Sequence, residues 1–411
     1  MRRAIEEKRD GRVLLPERWE AIVAGYLAGK VDDAQMAAML MAALWRGLST
    51  QETASLTKAM VESGERIRFP DDTFVVDKHS SGGVSDIVSL VAVPLAAACG
   101  ARVAKLSGRA LGHTGGTIDK LETIPGLRTT LSVDAFVAQV QRIGCAIAAQ
   151  TERLVPADKR LYALRDRTGT VPSVGLIAAS IVSKKLAGGA HAYVFDVKCG
   201  SAAFMQNLPD AEALARELVA VARSFDRPAR ALVTEMSEPL GRSIGTGIEV
   251  IEARELLRGR SGDGRVREAV LRITAEMLVL ARIAAPEKAA AGALDSGAAY
   301  EKFVEMIEAQ GASRAALEGM RVPERIEEAY ATRAGYVSGV DAVELGNLSR
   351  AWSAREATAG IRVEVRIGDR VERGTVLARG FGSAAAATAL EPAFEIADAP
   401  PQARPLVYAT F

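Results

Sequence analysis

The sequence predicts a multidomain α/β fold: a helical domain and a mixed-sheet α/β domain joined by hinges, followed by a small C-terminal α+β domain. Three observations lead to this prediction. The chain has 411 residues, which is long for one ordinary domain. Apolar residues recur at helical spacing up to residue 64, whereas short β-branched runs alternate with helical patterns from Phe74 onward. Residues 331–411 contain short alternating runs with tight turns, which is typical of antiparallel strands.

The same changes of pattern predict the domain boundaries. We expect residues 1–64 and 155–190 to form the helical domain, residues 65–154 and 191–330 the α/β domain, and residues 331–411 the C-terminal domain. The helical and α/β parts therefore alternate along the chain.

Three helices are predicted in the first 64 residues, at 18–28, 32–46 and 49–63. The third opens with Ser49-Thr-Gln-Glu52, a capping sequence for a helix N-terminus. We expect these helices to form a packed core without chemistry of their own.

From Phe74 onward, short apolar strands alternate with helices. The predicted strands are residues 74–78, 102–106, 145–149, 192–198 and 229–235. Strands joined by long crossovers imply a parallel or mixed sheet, whose ligands bind at the carboxyl ends of the strands.

Two glycine-rich loops follow the first two of these strands and lead into helices. Residues 77–86 read DKHSSGGVSD and residues 107–122 read SGRALGHTGGTIDKLE. Glycine lets the backbone turn its amides toward a ligand, and a helix start adds partial positive charge, so the loops predict a phosphate site. A purely structural turn is the alternative. Neither loop has the spacing GxxxxGK[ST] or GxGxxG, so ATP and NAD are not indicated.

Side chains around the loops supply one cation and several hydroxyl donors. The candidate phosphate ligands are Lys78, Ser80, Ser89, Ser107 and Thr117, with Ser81 and Thr114 nearby.

Composition excludes several classes of partner. Lys+Arg number 52 and Asp+Glu 51, so no basic surface for nucleic acid is indicated. The three cysteines lack CxxC spacing, which favours reduced thiols over disulfides or zinc. The N-terminus does not read as a signal peptide, and the most hydrophobic run, residues 87–99, is too short to cross a bilayer. We expect a cytoplasmic protein.

A second group of candidate residues lies in residues 155–190. Ser180 and Lys184 are four residues apart and so share one helix face, and Arg165 lies just upstream. For Lys184 and Lys185 the alternative is a solvated helix face.

These motifs resemble the thymidine and pyrimidine-nucleoside phosphorylases. The resemblance rests on the second loop from Ser107 to Glu122, on the first loop, and on ADKRLYALRD (157–166) and FDVKCGSAAFM (195–205). It is dense over residues 1 to about 255 and looser after that.

The family resemblance implies reversible phosphorolysis of pyrimidine nucleosides (thymidine, deoxyuridine and/or uridine) to free base and (deoxy)ribose 1-phosphate. Inorganic phosphate is then the co-substrate and no organic cofactor is needed. It also implies a homodimer formed through the helical domain, and closure of the α/β domain about hinges near Gly64 and Gly188-Gly189.

The resemblance also implies roles for single residues. Arg165 and Lys184 would contact the carbonyl oxygens of the base, and Ser180 its N3 edge. His79 is the candidate proton donor to the base O2, with a structural histidine bonded to a backbone carbonyl as the alternative. Tyr162 either packs beside the base or is an ordinary half-buried tyrosine.

Several positions depart from the family pattern. Ser85 stands where the family has glycine, and Ser81 where it usually has threonine; Pro172 and Thr246 also lie in altered stretches. Because some relatives bind potassium near this region, the resemblance suggests a potassium site near Ser85 and Glu252.

Two other functions remain open at this level. One is a phosphoribosyltransferase of the related fold, resembling the anthranilate enzyme, which needs acidic magnesium ligands; only Asp86 and Asp119 are candidates. The other is a non-catalytic nucleoside-binding homologue, which the departures from the pattern motivate.

Overall fold

The computed structural model describes residues 1–109, 115–260, 264–383 and 389–411. His113 and Thr114 of the second glycine loop lie outside the described residues.

The N-terminal region is helical, as predicted. Its helices are α1 (Arg2–Arg9), α2 (Pro16–Leu27), α3 (Asp33–Arg46) and α4 (Thr50–Glu62). The Ser49 side chain accepts from the Glu52 amide and the Glu52 side chain accepts from the Ser49 amide, so the predicted capping box is present.

The five predicted strands pair in parallel with one another. They are β1 (Val75–Ser80), β2 (Arg102–Ser107), β3 (Cys145–Ala149), β4 (Ala192–Cys199) and β5 (Ala229–Glu235). The sheet order is β13-β5-β4-β1-β2-β3, in which β13 (Val407–Thr410) pairs antiparallel with β5. The sheet is therefore mixed.

Helices cover both faces of this sheet. The helices that follow β1, up to residue 319, are α5 (Val88–Ala98), α6 (Thr117–Leu121), α7 (Val133–Ile143), α8 (Pro156–Thr168), α9 (Val174–Ala187), α10 (Leu208–Arg223), α11 (Gly247–Leu257), α12 (Gly264–Leu280), α13 (Pro286–Asp295), α14 (Ala298–Ala309) and α15 (Arg314–Gly319).

Alternate residues of each strand pack into two different cores, as the pleat requires. In β4, Val194 belongs to the core that contains α5, α11, α12 and α14, whereas Phe195 belongs to the core that contains α2–α4, α9 and α10. The sheet thus separates the N-terminal helices from the helices that follow residue 245.

The C-terminal region consists of short strands and one helix. Its elements are β7 (Arg325–Tyr330), β8 (Gly335–Val340), α16 (Ala342–Ser353), β9 (Gly360–Val363), β10 (Arg370–Val371), β11 (Val376–Phe381), a 3-10 turn (Glu391–Ala393) and β12 (Phe394–Ala397). They form the sheets β10-β8-β12 and β6-β9-β11-β7, where β6 is Ser243–Gly245. The small sheets therefore recruit β6 and β7, which precede residue 331.

Three connections between helices and the sheet run side by side, namely α4 to β1, β3 to α8 and α9 to β4. The Glu65 amide donates to the Arg153 carbonyl at 2.9 Å, and the Ile67 amide donates to the Ala187 carbonyl at 2.8 Å. Gly189 has φ +81°, and a Cβ there would lie 2.4 Å from the Ile67 carbonyl oxygen, so glycine is required. The hinges predicted near Gly64 and Gly189 fall within this group of connections.

Within the described ranges, no helix has the combination of length and apolar character that crossing a membrane requires.

Candidate active site

A cavity of about 400 Å³ opens at the carboxyl ends of β1 and β2, beside α8 and α9. Its walls contain nine of the residues predicted from the sequence: His79, Ser80, Ser89, Ser107, Thr117, Tyr162, Arg165, Ser180 and Lys184. Three predicted residues are not on its walls, namely Lys78, Ser85 and Glu252.

The first glycine loop is held by its own side chains. The Ser80 hydroxyl donates to Asp86 Oδ2 at 2.6 Å and accepts from the Gly82 amide at 3.3 Å. Asp86 Oδ1 accepts from the amide of Val88, the first residue of α5, at 3.1 Å. Burial opposes ionisation of Asp86, but nearby lysines and the Ser80 hydroxyl hold its pKa well below the usual range. Asp86 is therefore a structural carboxylate of the loop.

Lys78 lies beneath the first loop, not on the cavity wall. Its ammonium is fully buried, 3.3 Å from Asp196 Oδ2 and 3.3 Å from Ser89 Oγ. Lys198 approaches the same Asp196 oxygen at 2.8 Å. Lys78 therefore does not line the cavity itself, but its hydrogen-bond partner Ser89 does.

Lys120 ties the first loop to the second. Its ammonium donates to the Asp86 carbonyl at 2.9 Å and lies 2.5 Å from Glu249 Oε2. Lys120 belongs to α6, which begins at Thr117 on the cavity wall. Buried Lys120 thus connects the first loop to the helix that follows the second loop.

Lys105 is a cavity residue that the sequence analysis missed. It lies in β2, is 3% exposed and lines the cavity. Among the described residues, its ammonium has no hydrogen-bond or ion-pair partner. Burial, reinforced by Lys185, holds its pKa well below the usual range. A lysine inside the apolar run 103–106 was the available signal, because lysine is rarely buried without a task.

His79 lies in β1 on the face opposite Lys78. Burial lowers the pKa of its imidazole well below the usual value, and Lys185, Lys105 and Lys184 lower it further. Its ring makes no hydrogen bond to a backbone carbonyl anywhere in the described chain, so the structural alternative has no support. The imidazole is neutral near pH 7 and can donate a hydrogen bond through its N–H group.

Arg165 is fixed by three backbone carbonyls. Its Nε donates to Thr170 at 3.3 Å, its Nη1 to Leu176 at 3.1 Å and its Nη2 to Val171 at 2.7 Å. A guanidinium has five N–H groups, so two remain for a ligand in the cavity. The side chain is 3% exposed, and burial lowers its pKa somewhat.

Ser180 and Lys184 meet on one face of α9, as predicted. The Lys184 ammonium donates to Ser180 Oγ at 3.1 Å and to Asp158 Oδ2 at 2.7 Å. Tyr162 lies beside it, with its ring centroid 6.0 Å from Lys184 Nζ. Asp158, which orients the lysine from within ADKRLYALRD, was missed in the sequence.

Lys185 does not lie on a solvated face. Its ammonium donates to Asp77 Oδ2 at 2.7 Å and to the Leu106 carbonyl at 3.1 Å. The solvated-face alternative is wrong for this residue, which instead fastens α9 to β1 and β2.

Apolar side chains complete the cavity. They are Leu106, Val171, Pro172, Ile177, Ile181, Phe204, Met205 and Leu214. Phe204, 43% exposed, follows β4 and had been noted in the sequence only as part of FDVKCGSAAFM.

The residues named for potassium do not fit a cation. Glu252 Oε1 accepts from the Arg242 amide at 2.9 Å, and Oε2 accepts from the Ser243 amide at 2.6 Å. The Ser85 hydroxyl donates to the Ser243 carbonyl. Oxygens that accept hydrogen bonds from the chain in this way are poorly available to a metal ion.

Among the described residues, no three His, Cys, Asp or Glu side chains cluster as metal ligands. Of the two magnesium candidates, Asp86 lines the cavity but is bonded to the Ser80 hydroxyl and the Val88 amide. Asp119 accepts from Arg109 at 3.1 Å.

Comparison with protein families matches most of the chain. Residues 2–64 match the helical bundle domain of the glycosyl transferase family, and residues 72–300 match its a/b domain. Anthranilate phosphoribosyltransferase from Thermus thermophilus superimposes with a TM-score of 0.55 at 21% identity, covering 75% of this chain and 99% of that chain. This likeness concerns the fold.

Curated relatives extend the match. Pyrimidine-nucleoside phosphorylases from Staphylococcus aureus strains bovine RF122 / ET3-1 and USA300 are each 43% identical over an alignment of 392 residues, which covers 91% of this chain and 90% of the relative. With both domain matches, this identity shows that the chain belongs to the pyrimidine-nucleoside phosphorylase family.

Proposed function

We propose that the protein catalyses the reversible phosphorolysis of pyrimidine nucleosides to free base and (deoxy)ribose 1-phosphate. One observation carries the proposal: a single cavity has hydroxyl- and amide-rich glycine loops on one wall and Arg165, Ser180 and Lys184 on another. The relatives that are 43% identical are pyrimidine-nucleoside phosphorylases, which supports the same reaction.

The loop wall suits inorganic phosphate, the nucleophile. Ser80, Ser89, Ser107 and Thr117 offer hydroxyls, and the glycines of both loops leave backbone amides accessible. Lys105 adds to this wall an amine that has no hydrogen-bond or ion-pair partner among the described residues. Phosphate arrives already anionic, so no general base is needed to generate the nucleophile.

The helical wall suits the pyrimidine. The two free N–H groups of Arg165 and the remaining N–H of Lys184 can donate to base carbonyl oxygens, and Ser180 to the N3 edge. As the glycosidic bond breaks, negative charge grows on the base while the sugar gains oxocarbenium character. Donors already aimed at this charge stabilise the transition state by about 3 kcal/mol each.

His79 lies near the end of β1 and faces the helical wall of the cavity. In the neutral state its N–H donates a hydrogen bond to the base O2 as charge develops there. Bound phosphate, being anionic, raises the pKa of the imidazole toward its ordinary value and so favours proton donation in the ternary complex.

We assign binding of the base to the predicted helical domain and binding of phosphate to the predicted α/β domain. Bending at the side-by-side connections near Gly64, Arg153 and Gly189 would bring phosphate to the sugar and exclude water, which competes as nucleophile. A cytoplasmic location is part of the proposal and agrees with three free thiols.

A homodimer is also proposed. Trp45, at the end of α3, is 79% exposed, and Val13, Leu15 and Met41 are exposed as well. Arg46 Nε donates to the Arg9 carbonyl at 2.6 Å, which holds the end of α3 beside the end of α1. An exposed apolar group of this kind suits a subunit interface. Size measurement of the chain and of Trp45→Glu by light scattering tests it, and a monomeric unmodified chain would contradict it.

The test of the reaction is release of base from thymidine, deoxyuridine, uridine and cytidine with and without inorganic phosphate, followed by ultraviolet absorbance. We expect release only with phosphate, and the ranking of substrates then identifies the preferred sugar and base. Release without phosphate would indicate a hydrolase, and no release from any nucleoside would leave a binding protein. Arg167→Ala, a solvent-exposed arginine of the same helix as Arg165, serves as the matched control variant.

A further inference from the structure

The first glycine loop is fastened at its far end to β6. The Leu240 amide donates to the Val84 carbonyl and the Gly241 amide to the Ser85 carbonyl, each at 3.2 Å. The Ser85 hydroxyl adds a third bond, to the carbonyl of Ser243 in β6. These contacts join the wall that faces phosphate to the sheet formed with β9.

Ser85 adopts a backbone conformation that favours glycine. Its φ is +57°, in the left-handed region, and its side chain is 1% exposed. Glycine would adopt this backbone without strain, so what serine adds at this position is the contribution of its hydroxyl. The hydrogen bond to Ser243 is that contribution.

The Ser85 hydroxyl and the Glu252 carboxylate both lie close to Gly241. A Cβ built on Gly241 would lie 2.6 Å from Ser85 Oγ and 2.9 Å from Glu252 Oε1. The carboxylate is engaged with the Arg242 and Ser243 amides, and the carbonyl of the neighbouring Ile87 accepts from the Leu90 amide of α5. The Ser85 hydroxyl already donates to the Ser243 carbonyl and both Glu252 oxygens already accept backbone amides, so a potassium ion would find none of these oxygens free of a protein partner.

We propose that the Ser85 hydroxyl stands in for a monovalent cation in this protein. The hydroxyl links the loop carrying Gly82 and Gly83 to β6 through a hydrogen bond. In a relative with glycine at this position, a cation would have to join the loop and β6 by binding their oxygens. Ser85 is accordingly a positioning residue for the phosphate loop, and the protein requires no potassium.

The test compares the unmodified protein, Ser85→Gly and Ser85→Ala in potassium, sodium and tetramethylammonium chloride at matched ionic strength of about 0.1 M. Thermal melting is measured in each salt, together with the KM for phosphate. The KM arm rests on the proposed phosphorolysis, whereas the melting arm does not, so failure of the two ideas is distinguishable.

We expect the unmodified protein to give the same Tm and KM in all three salts. Ser85→Gly opens the space, so in tetramethylammonium its KM should rise about fivefold, the value of one hydrogen bond, and potassium should restore KM and raise Tm. Ser85→Ala loses the hydroxyl but keeps the β-carbon that glycine lacks, so we expect its Tm and KM not to respond to potassium.

Three results would overturn the proposal. The first is a potassium-dependent Tm or KM in the unmodified protein. The second is a Ser85→Gly variant with unchanged KM in tetramethylammonium. The third is a raised KM in that variant that potassium does not restore. Ser296→Ala, at the end of α13, controls for loss of a serine elsewhere.

Discussion

The two walls of the cavity achieve their charge in opposite ways. On the helical wall, Arg165 donates to three backbone carbonyls and Lys184 to Asp158, so each cation is held by the chain before a ligand arrives. On the loop wall, Lys105 has no partner within the described chain, and burial, reinforced by surrounding lysines, lowers the pKa of His79.

The difference indicates which ligand completes the charge balance of the site. A pyrimidine is neutral and needs donors already in place, because it cannot organise charges itself. Phosphate is an anion and can compensate a site that is electrostatically incomplete without it. In the proposed reaction the helical wall would therefore orient the base, and the loop wall would offer positive charge for phosphate to neutralise. The predictions below test this contrast.

The largest effect is expected at the helical wall. Arg165→Ala should lower kcat/KM for nucleoside at least about a hundredfold, ~3 kcal/mol, because donors to the leaving base disappear. Its loss also frees three carbonyls, so thermal melting must be measured alongside. Rates that stay normal in a folded variant would refute the base-site assignment, and Arg167→Ala should retain the activity of the unmodified protein.

Lys105→Met sharpens the comparison at the loop wall. We expect KM for phosphate to rise about thirtyfold, as a charged hydrogen bond of ~2 kcal/mol is lost. The Tm should not fall, because a buried ammonium without a partner is costly to the folded state. Initial rates over a phosphate series and a melting curve measure both. A lower Tm with unchanged KM would make Lys105 structural; Lys159→Met, on the surface of α8, is the control.

Ser107→Ala removes one hydroxyl from the same wall. KM for phosphate should rise about fivefold, ~1 kcal/mol, with little change in KM for nucleoside. Titration of each substrate at saturating levels of the other separates the two. An unchanged phosphate dependence would exclude Ser107 from the anion site.

The smallest effect concerns pH. The folded-state pKa of His79 lies below its unfolded value, so the unfolded state binds more protons as pH falls below about 6.5. Stability should therefore decline on acidification through that range, and His79→Gln should decline less steeply. Sulfate, a non-titrating anion at these pH values, should raise the His79 pKa when followed by NMR of its ring protons. No shift on adding sulfate would place the anion elsewhere.

The sequence predicted the parts of the site that depend on local pattern. The five strands, the two strand-loop-helix units and the shared face of Ser180 and Lys184 follow from spacing alone. Residues whose role depends on tertiary contacts were not accessible. Lys105 looks like any lysine until its strand is placed in the sheet, and Asp158 until α8 meets α9.

The position of Lys78 shows the same limit. Its place in the DKHS motif suggested direct contact with phosphate, but strand alternation and the buried Asp196 draw its ammonium beneath the loop. The pairing of β13 with β5 was also unpredicted, because the partners are far apart in sequence.

That last pairing has a consequence for biosynthesis. Phe411 and Ala231 exchange backbone hydrogen bonds at 2.8 and 3.0 Å, and β13 thereby covers the outer edge of β5. The ribosome synthesises β5 well before β13. The outer edge of β5 therefore has unpaired amides while the C-terminal region is synthesised. Chains clipped before β13 would retain every residue of the cavity and yet associate through the bare edge, so their failure would be one of solubility and not of catalysis.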